Sequence, residues 1–297
     1  MICSPPPITL RVWEGDYGVP STDPCSLIAL TVFKMFGIKK TVIQTAYFPF
    51  FSNIPSISRG KFFTDDKEKL LKYVFNLSQE VTLLSLKQQK MIEEYITYFL
   101  ENFAKPFYVD CWIHETNYRH AIENWFTNVI PFPFNTIYLN HNRKEAQKVV
   151  ALYMSKWDYD RYITKKYEDA AICLGDFNYL LKDGRKFMYQ NIPTYLDAVL
   201  YSYLVIAMRI PLHNPTLQNL IYRHTWLLNY INRMTEDYFP NTPIEFKYVD
   251  PIYGSFVRMR TKSLVVSGIC VASIMLLYAY ITNAIKFGNL KICFSKM

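Results

Sequence analysis

The uncharged stretch SLVVSGICVASIMLLYAYIT, Ser263–Thr282, constrains this chain more than any other feature. The run continues to Ile285, giving 23 residues without a charge. At ~1.5 Å rise per residue a helix of that length spans ~34 Å, enough to cross a bilayer core of ~30 Å with some tilt. The other way to satisfy such a run is a helix buried in a protein core. A core helix of this length without one charge is uncommon, and basic residues flank this one: Arg258, Arg260 and Lys262 before it, Lys286, Lys291 and Lys296 after it. The segment is therefore expected to be a membrane anchor running from Ser263 past Thr282, with Gly268 and Ala272 as a weak small-xxx-small pair for helix approach. MICSPPPITLRVW lacks the apolar core of a signal peptide, so a tail anchor with its body in the cytosol is expected.

The net charge of +8 invites a nucleic-acid reading, but its distribution opposes one. The six flanking cations carry +6 with no Asp or Glu after residue 250, which leaves residues 1–250 with only +2. A nucleic-acid binder carries its basic face on the folded body. Six widely spaced cysteines with no C-x-x-C suggest neither a disulfide framework nor a zinc site. Hydrophobic residues at 51% against 20% charged describe a folding chain, and aromatics at 17% supply large rigid side chains for cores and contacts.

Residues 1–78 read as a thioredoxin-like α/β unit. ITLRVW (8–13) is a strand pattern, and CSLIALTVFKMFG after Pro24 is helical, with Gly37 placed to end it. TVIQTAY (41–47), NIPSIS (53–58, through Pro55) and KFFTDD add strands before the helical DKEKLLKYVF. Long helical patterns follow over residues 79–240, an all-helical unit. EVTLLSLKQQKMIEEYITYFLENF (80–103) and LIYRHTWLLNYINRMTEDYF (220–239) each read as one helix. In 158–182, Ile163, Tyr167, Ala170, Leu174, Phe177 and Leu181 form a core-facing stripe. After them come a basic linker (241–262), the anchor (263–285) and a short basic tail (286–297).

Thr194-x-x-Asp197 opens a helix that is apolar nearly all round. The pattern is a capping box, in which the Asp carboxylate reaches back to the Thr N–H. A thioredoxin-like unit followed by helices with a capped, buried central one resembles the glutathione transferase fold. That resemblance implies a cis Pro55 and makes Pro55, Thr194 and Asp197 fold markers. Transferase chemistry would need a Tyr, Ser or Cys in the first loop, where Tyr17, Ser21 and Cys25 stand. Cys25, at a helix start, is a candidate for a lowered thiol pKa, although a packed small residue is the commoner case. Against the chemistry, Asp65 and Asp66 occupy the place of the serine that would hold a glutamyl carboxylate.

WIHETNYRHAIENWFTNVIPFPFN (112–135) first suggests a metal site. His114 and His120 are six apart, so on one helix they project ~240° from each other and miss the i,i+4 spacing of a zinc helix. Asn117 is expected to interrupt the helix there. No cofactor or metal follows from these residues. Pro131-Phe132-Pro133 reads as a rigid turn, since Pro133 forbids helix at Phe132, or as a partner-facing corner, with Trp112, Trp125 and Phe132 as the candidate partner surface.

Trp112-Ile113-x-x-x-Asn117-Tyr118, then Trp125 and Pro131-Phe132-Pro133, resembles the metaxins. VWEGDYGVPSTDPCSL (12–27), the Tyr195–Leu204 core and the C-terminal anchor agree with it. The resemblance implies a non-catalytic subunit of the sorting and assembly machinery in the mitochondrial outer membrane, bulk facing the cytosol. It implies a metaxin 2-like subunit, a barrel-forming assembly subunit and β-barrel precursors as partners. Two other readings stay open: an adaptor for motor-based mitochondrial transport, and a tail-anchored glutathione transferase.

Overall fold

Alternation in ITLRVW puts Ile8, Leu10 and Val12 on one face of β1 (Ile8–Trp13), and all three are buried. The computed structural model describes residues 6–39, 41–46, 49, 52–82, 84–154, 159–189, 191–242 and 268–278. β1 pairs in parallel with β2 (Thr41–Ala46) and antiparallel with β3 (Ser56–Arg59), which pairs antiparallel with β4 (Phe62–Thr64). The sheet order β2-β1-β3-β4 puts β1 in the interior. The parallel pair requires a crossover, and α1 (Pro24–Met35) supplies it. Asp23 caps α1 by accepting from Ser26 N–H at 2.7 Å, Pro24 sits in its first turn, and Gly37 at φ +57 ends it in the left-handed region. The peptide bond before Pro55 is cis, as the fold resemblance implied. α2 (Lys67–Thr82) closes the unit.

Several helix boundaries differ from the sequence reading. Residues 80–103 are not one helix, because α2 ends at Thr82 and Ser85 caps a new helix, α3 (Leu86–Phe99), in a capping box with Gln88. The expected unit boundary after residue 78 therefore falls inside α2. α3 runs through a π-helical turn, Leu100–Ala104, into α4 (Lys105–Trp112), so Pro106 is accommodated where the backbone ladder is already shifted. The break near the histidines lies at His114, which is extended at φ −64 and ψ 112, and not at Asn117. Asn117 closes α5 (Glu115–Asn117) and runs straight into a π-helical segment, Tyr118–Glu123, and α6 (Asn124–Val129). Its amide exchanges two hydrogen bonds with the Asn214 backbone, donating at 3.2 Å and accepting at 2.7 Å, so it pins a distant loop instead of breaking a helix.

α7 (Phe134–Met154) and α8 (Tyr159–Leu180) follow, and the stripe points inward over the second half of α8: Ala170, Leu174 and Phe177, with Leu181 just past its end, are buried, while Ile163 and Tyr167 are half-buried. α9 (Tyr195–Arg209) is buried along almost its whole length and packs on α1 and α3. Residues 220–239 divide at Arg223 and His224 into α10 (Thr216–Tyr222) and α11 (Thr225–Tyr238).

The Thr194–Asp197 box does more than cap α9. One Asp197 carboxylate oxygen accepts from Thr194 N–H at 2.9 Å and from the Thr194 hydroxyl at 2.8 Å. The other accepts from Met188 N–H at 2.8 Å and from the Tyr230 hydroxyl at 3.1 Å. The carboxylate is fully buried and ties the loop before α9 to α11.

A second buried carboxylate is less well served. Asp110 on α4 accepts from the Tyr167 hydroxyl at 2.8 Å, while its other oxygen has no partner among the described residues. Burial pushes its pKa up to about 6. The folded chain then holds this proton where the unfolded chain has released it. Stability falls as pH rises from the ordinary carboxylate range to about 6 and is level above it. Asp110→Asn is expected to abolish that slope and to raise stability at pH 7 by about 2 kcal/mol. Denaturant unfolding of both proteins at pH 5 and pH 7 checks it; an unchanged slope would mean that Asp110 does not titrate there.

Candidate functional site

The two units meet at Trp13, at the end of β1. Its indole is fully buried, and its N–H donates to the Ile54 carbonyl, just before Pro55, at 3.2 Å. Phe126 and Tyr138 stand edge-on to it with ring centroids 5.5 Å away, and Trp125 at 6.1 Å. The Trp125 N–H in turn reaches back to Asp16 at 3.1 Å. Trp125 and Trp112 are therefore buried core residues, which overturns their reading as partner surface. Their rings meet the other aromatics of this junction, and exposing them would return that area to water. Of the three residues proposed for that surface, only Phe132 is open, at 50% exposure. The Pro131–Pro133 corner is the turn its prolines dictate: the Pro131 carbonyl accepts from Phe134 N–H at 3.0 Å.

Beside this junction lies a cavity of about 460 Å³. The start of α1 and Lys67 at the start of α2 form one side; α4, α7 and α9 form the rest. In a transferase-type frame this cleft is where a thiol would be bound and activated. The residues present do not do that. Cys25 lines the cavity, but burial, with the Asp23 carboxylate behind it, pushes its thiol up to about 12. The thiol is therefore a packed residue and not a thiolate lowered by the helix start: burial and the Asp23 charge both raise it. Tyr17 is buried at φ 56 in a loop where a Cβ on Gly15 would strike the Val19 carbonyl, and burial drives its phenol far above the usual range. Ser21 is buried as well.

The anion site is filled from within. Asp66 caps α2 by accepting from Lys69 N–H at 2.9 Å, and Asp65 accepts from Asn53 N–H at 3.0 Å. A ligand carboxylate arriving at this helix N-terminus meets two carboxylates. At pH 8 the Cys25 thiolate fraction is expected to lie roughly a thousandfold below that of an exposed cysteine with pKa ~8.5. Peptide-mapped alkylation by iodoacetamide measures this; labelling of Cys25 as fast as a free thiol would return a reactive cysteine to the site.

The histidines do not converge. The His114 ring lies 3.0 Å from the Thr116 hydroxyl and 3.2 Å from the Asn214 amide, whereas His120 stacks on His213 with centroids 5.0 Å apart. Among the described residues no three His, Cys, Asp or Glu side chains gather as a metal site.

Of the segment expected to be an anchor, only residues 268–278 are described, and they are helical. There Ile269, Val271, Ile274, Met275, Leu276 and Leu277 all stand exposed. Gly268 and Ala272 fall in this helix, and a Cβ on Gly268 would meet nothing within 4 Å. Ser263, Thr282, Arg258, Arg260, Lys262, Lys286, Lys291 and Lys296 lie outside the described residues. Among the described residues no helix is long and apolar enough to cross a membrane.

Comparison with known proteins places these features. A family model described as an outer mitochondrial membrane transport complex protein matches residues 26–143. A second, described as the C-terminal domain of glutathione S-transferase, matches residues 170–234. A metaxin-1 homolog of Caenorhabditis briggsae is 27% identical over 249 residues, covering 80% of this chain and 76% of its own. A metaxin-1 homolog of Drosophila melanogaster is 29% identical over 240 residues, covering 77% and 72%. Metaxin-3 of Danio rerio is 24% identical over 248 residues, covering 80% and 78%. A glutathione transferase from Phanerochaete chrysosporium superposes with a TM-score of 0.50 at 14% identity, covering 78% of this chain and 98% of its own. A beta-etherase from a Sphingobium species gives 0.50 at 10% identity, covering 86% and 99%. At such identities the last two share the fold alone. With a transferase-type frame, a cleft without an activated thiol, and relatives aligned over most of both lengths, the chain is similar to metaxin-1 homologues across most of its length.

Proposed function

We propose that this chain is a non-catalytic subunit of the sorting and assembly machinery of the mitochondrial outer membrane, supporting import and insertion of β-barrel precursors from the cytosolic face. The observation that carries this reading is a transferase-type cleft that keeps its frame while its thiol is held at about 12 and its anion site is closed by Asp66. A fold relieved of that chemistry is left with contact surface as its product. The matching family description, an outer mitochondrial membrane transport complex protein, supports the address. The exposed apolar helix at 268–278 supports a tail anchor over 263–285, because an unburied helix of this composition is stable in lipid and not in water.

The physical task fits such a subunit. A β-barrel precursor exposes unpaired strand edges until it closes. A folded cap held at the membrane by one helix can brace the assembly barrel and limit escape of the open form. Its partners in this reading are a metaxin 2-like subunit and a barrel-forming assembly subunit.

The test is the native complex. Mitochondrial membranes solubilised in mild detergent are expected to show this chain migrating with both partners. Migration alone, at the size of one or two chains, would remove the assembly reading and favour an adaptor role in transport. In the same assay Phe132→Ala is expected to weaken co-migration while leaving stability within ~0.5 kcal/mol, since the ring is half exposed. Retained co-migration would take Phe132 out of the interface.

A further inference from the structure

The sheet of the first unit has two unlike edges. β4, at one edge, is three residues long, and Phe62 in it stacks on Tyr73 of α2 with ring centroids 4.8 Å apart. β2, at the other, is six residues long and reads TVIQTA, without a charge or a proline. Its pairing with β1 runs from Thr41 opposite Ile8 to Ala46 opposite Trp13 with no bulge. Among the described residues no strand lies on its outer side. Val42 and Ile43 are consecutive, so they point to opposite faces of the sheet, and they are 45% and 47% exposed. Gln44 and Thr45 are exposed as well, and of the six residues only Ala46 is buried.

Folded proteins blunt such an edge with charge, proline, a bulge or a covering segment, because its unpaired N–H and C=O groups can template a further strand. β2 carries none of the first three. A long, regular, uncharged edge with β-branched residues is the form a sheet takes where another strand is added.

The order of residues in β2 indicates which strand that is. Two copies can pair antiparallel about a two-fold axis perpendicular to the sheet. Such an axis keeps each face on its own side, so every pair combines residues of the same face and the axis passes through a residue position. With the axis at Ile43, Ile43 meets Ile43 of the second copy, Thr41 meets Thr45, and Val42 meets Gln44. The segment is thus close to self-complementary: a β-branched residue faces a β-branched one and a threonine faces a threonine, pairs that favour a sheet. The other register that matches five residues with five, centred on Gln44, sets Ile43 against Thr45 and Val42 against Ala46. It brings no exposed apolar side chain against another. The strand is uncharged and residues 1–250 carry only +2, so two copies meet little repulsion.

We propose that β2 is a self-association edge: two copies of this chain pair antiparallel through Thr41–Thr45, centred on Ile43, and join their four-stranded sheets into one. Five residues a side bury less than the ~1,200 Å² that marks a stable interface, so the pair is reversible. The contact goes beyond the assembly reading above and does not depend on it, since neither partner named there takes part.

The test uses the full chain in mild detergent, with Cys3→Ser, Cys270→Ser and Cys293→Ser to lower the background and single cysteines placed on β2. In the proposed register the two Cβ atoms at position 43 stand about 5 Å apart across the axis, while those at 42, or at 44, are diagonal neighbours at about 7–8 Å. A disulfide needs a Cβ separation of about 3.5–4.5 Å, so Ile43→Cys is expected to form a homodimeric disulfide about tenfold faster than Val42→Cys or Gln44→Cys under mild oxidation. Thr41→Cys and Thr45→Cys are expected to stay monomeric alone and to cross-link when mixed. Adding Ile43→Lys to both members of that mixture sets like charges opposite each other and is expected to abolish the cross-link, with every variant unfolding at the parent temperature. Equal rates at 42, 43 and 44 would mark chance collision and overturn the proposal. Thr41→Cys joining itself as fast as it joins Thr45→Cys would overturn the antiparallel pairing. In mitochondrial membranes, a disulfide from Ile43→Cys to a different chain, with no homodimer, would replace the second copy by a strand from a partner.

Discussion

Asp197→Ala is expected to be among the most destabilising single changes in the chain, lowering stability by about 4 kcal/mol or more. The carboxylate is fully buried and receives four hydrogen bonds, two from backbone N–H groups and two from hydroxyls. Alanine leaves the Met188 and Thr194 N–H groups buried without acceptors, at about 1–3 kcal/mol each. It also uncaps α9, which packs on both α1 and α3 and so joins the two units. Domains of this size hold only about 5–15 kcal/mol in total, so a low yield of soluble protein is part of the expected result. The midpoint of thermal unfolding should fall by about 8 °C or more, at 2–4 °C per kcal/mol. A fall of less than 2 °C would show that the box is ornamental and that packing alone places α9. Asp197→Asn, which keeps one acceptor oxygen, is expected to lie between.

The second large effect is expected at Trp13. Trp13→Ala removes an indole that three aromatic side chains of the helical unit surround, together with its hydrogen bond to the Ile54 carbonyl. Loss of a large buried aromatic costs about 3–5 kcal/mol. The distinguishing outcome is where the loss appears. Because Trp13 joins the units, amide exchange should quicken on both sides of the junction, in α6 and α7 as well as in the sheet. Quickening confined to the sheet would mean that Trp13 serves only its own unit. Trp13→Phe keeps most of the area and loses the N–H, so a loss of about 1–2 kcal/mol is expected.

Much of this architecture was legible because its signals are local. Each strand of the first unit followed from β-rich stretches between turn residues, and α1 from the Asp23-Pro24 start and the Gly37 stop. The stripe from Ala170 to Leu181 and the Thr194–Asp197 box are periodicities and spacings within one helix. The misreadings came where distant contacts decided. Asn117 reads locally as a helix breaker, yet its amide is claimed by Asn214, nearly a hundred residues away, and the helix continues. Trp112 and Trp125 read as candidate surface because interface aromatics and core aromatics look alike in sequence; only the fold makes Trp13, Tyr118 and Phe126 their neighbours. Ser85, by contrast, was readable: Ser85-x-x-Gln88 is a capping box in plain sight inside an assumed helix.

For the site, the sequence named Cys25 and the Asp65-Asp66 pair but not their consequence. Proximity to a helix N-terminus argues for a low thiol pKa. The fold instead buries the sulfur beside the Asp23 carboxylate, and both effects raise it. The residues that make the cavity, from Thr22 to Ile210, are spread over most of the described chain and share no spacing.

Taken alone, the chain of letters determined most elements, their order, the resemblance to the metaxins and the apolar segment before the basic tail, since each of these depends on residues near one another or on motifs in fixed succession. The tertiary structure decided which aromatics face inward, which helix ends carry anions, and what the cleft between the units can hold. Those outcomes depend on distances between residues far apart in sequence, and desolvation, the dominant force on every buried charge and thiol here, exists only once the chain has closed around them.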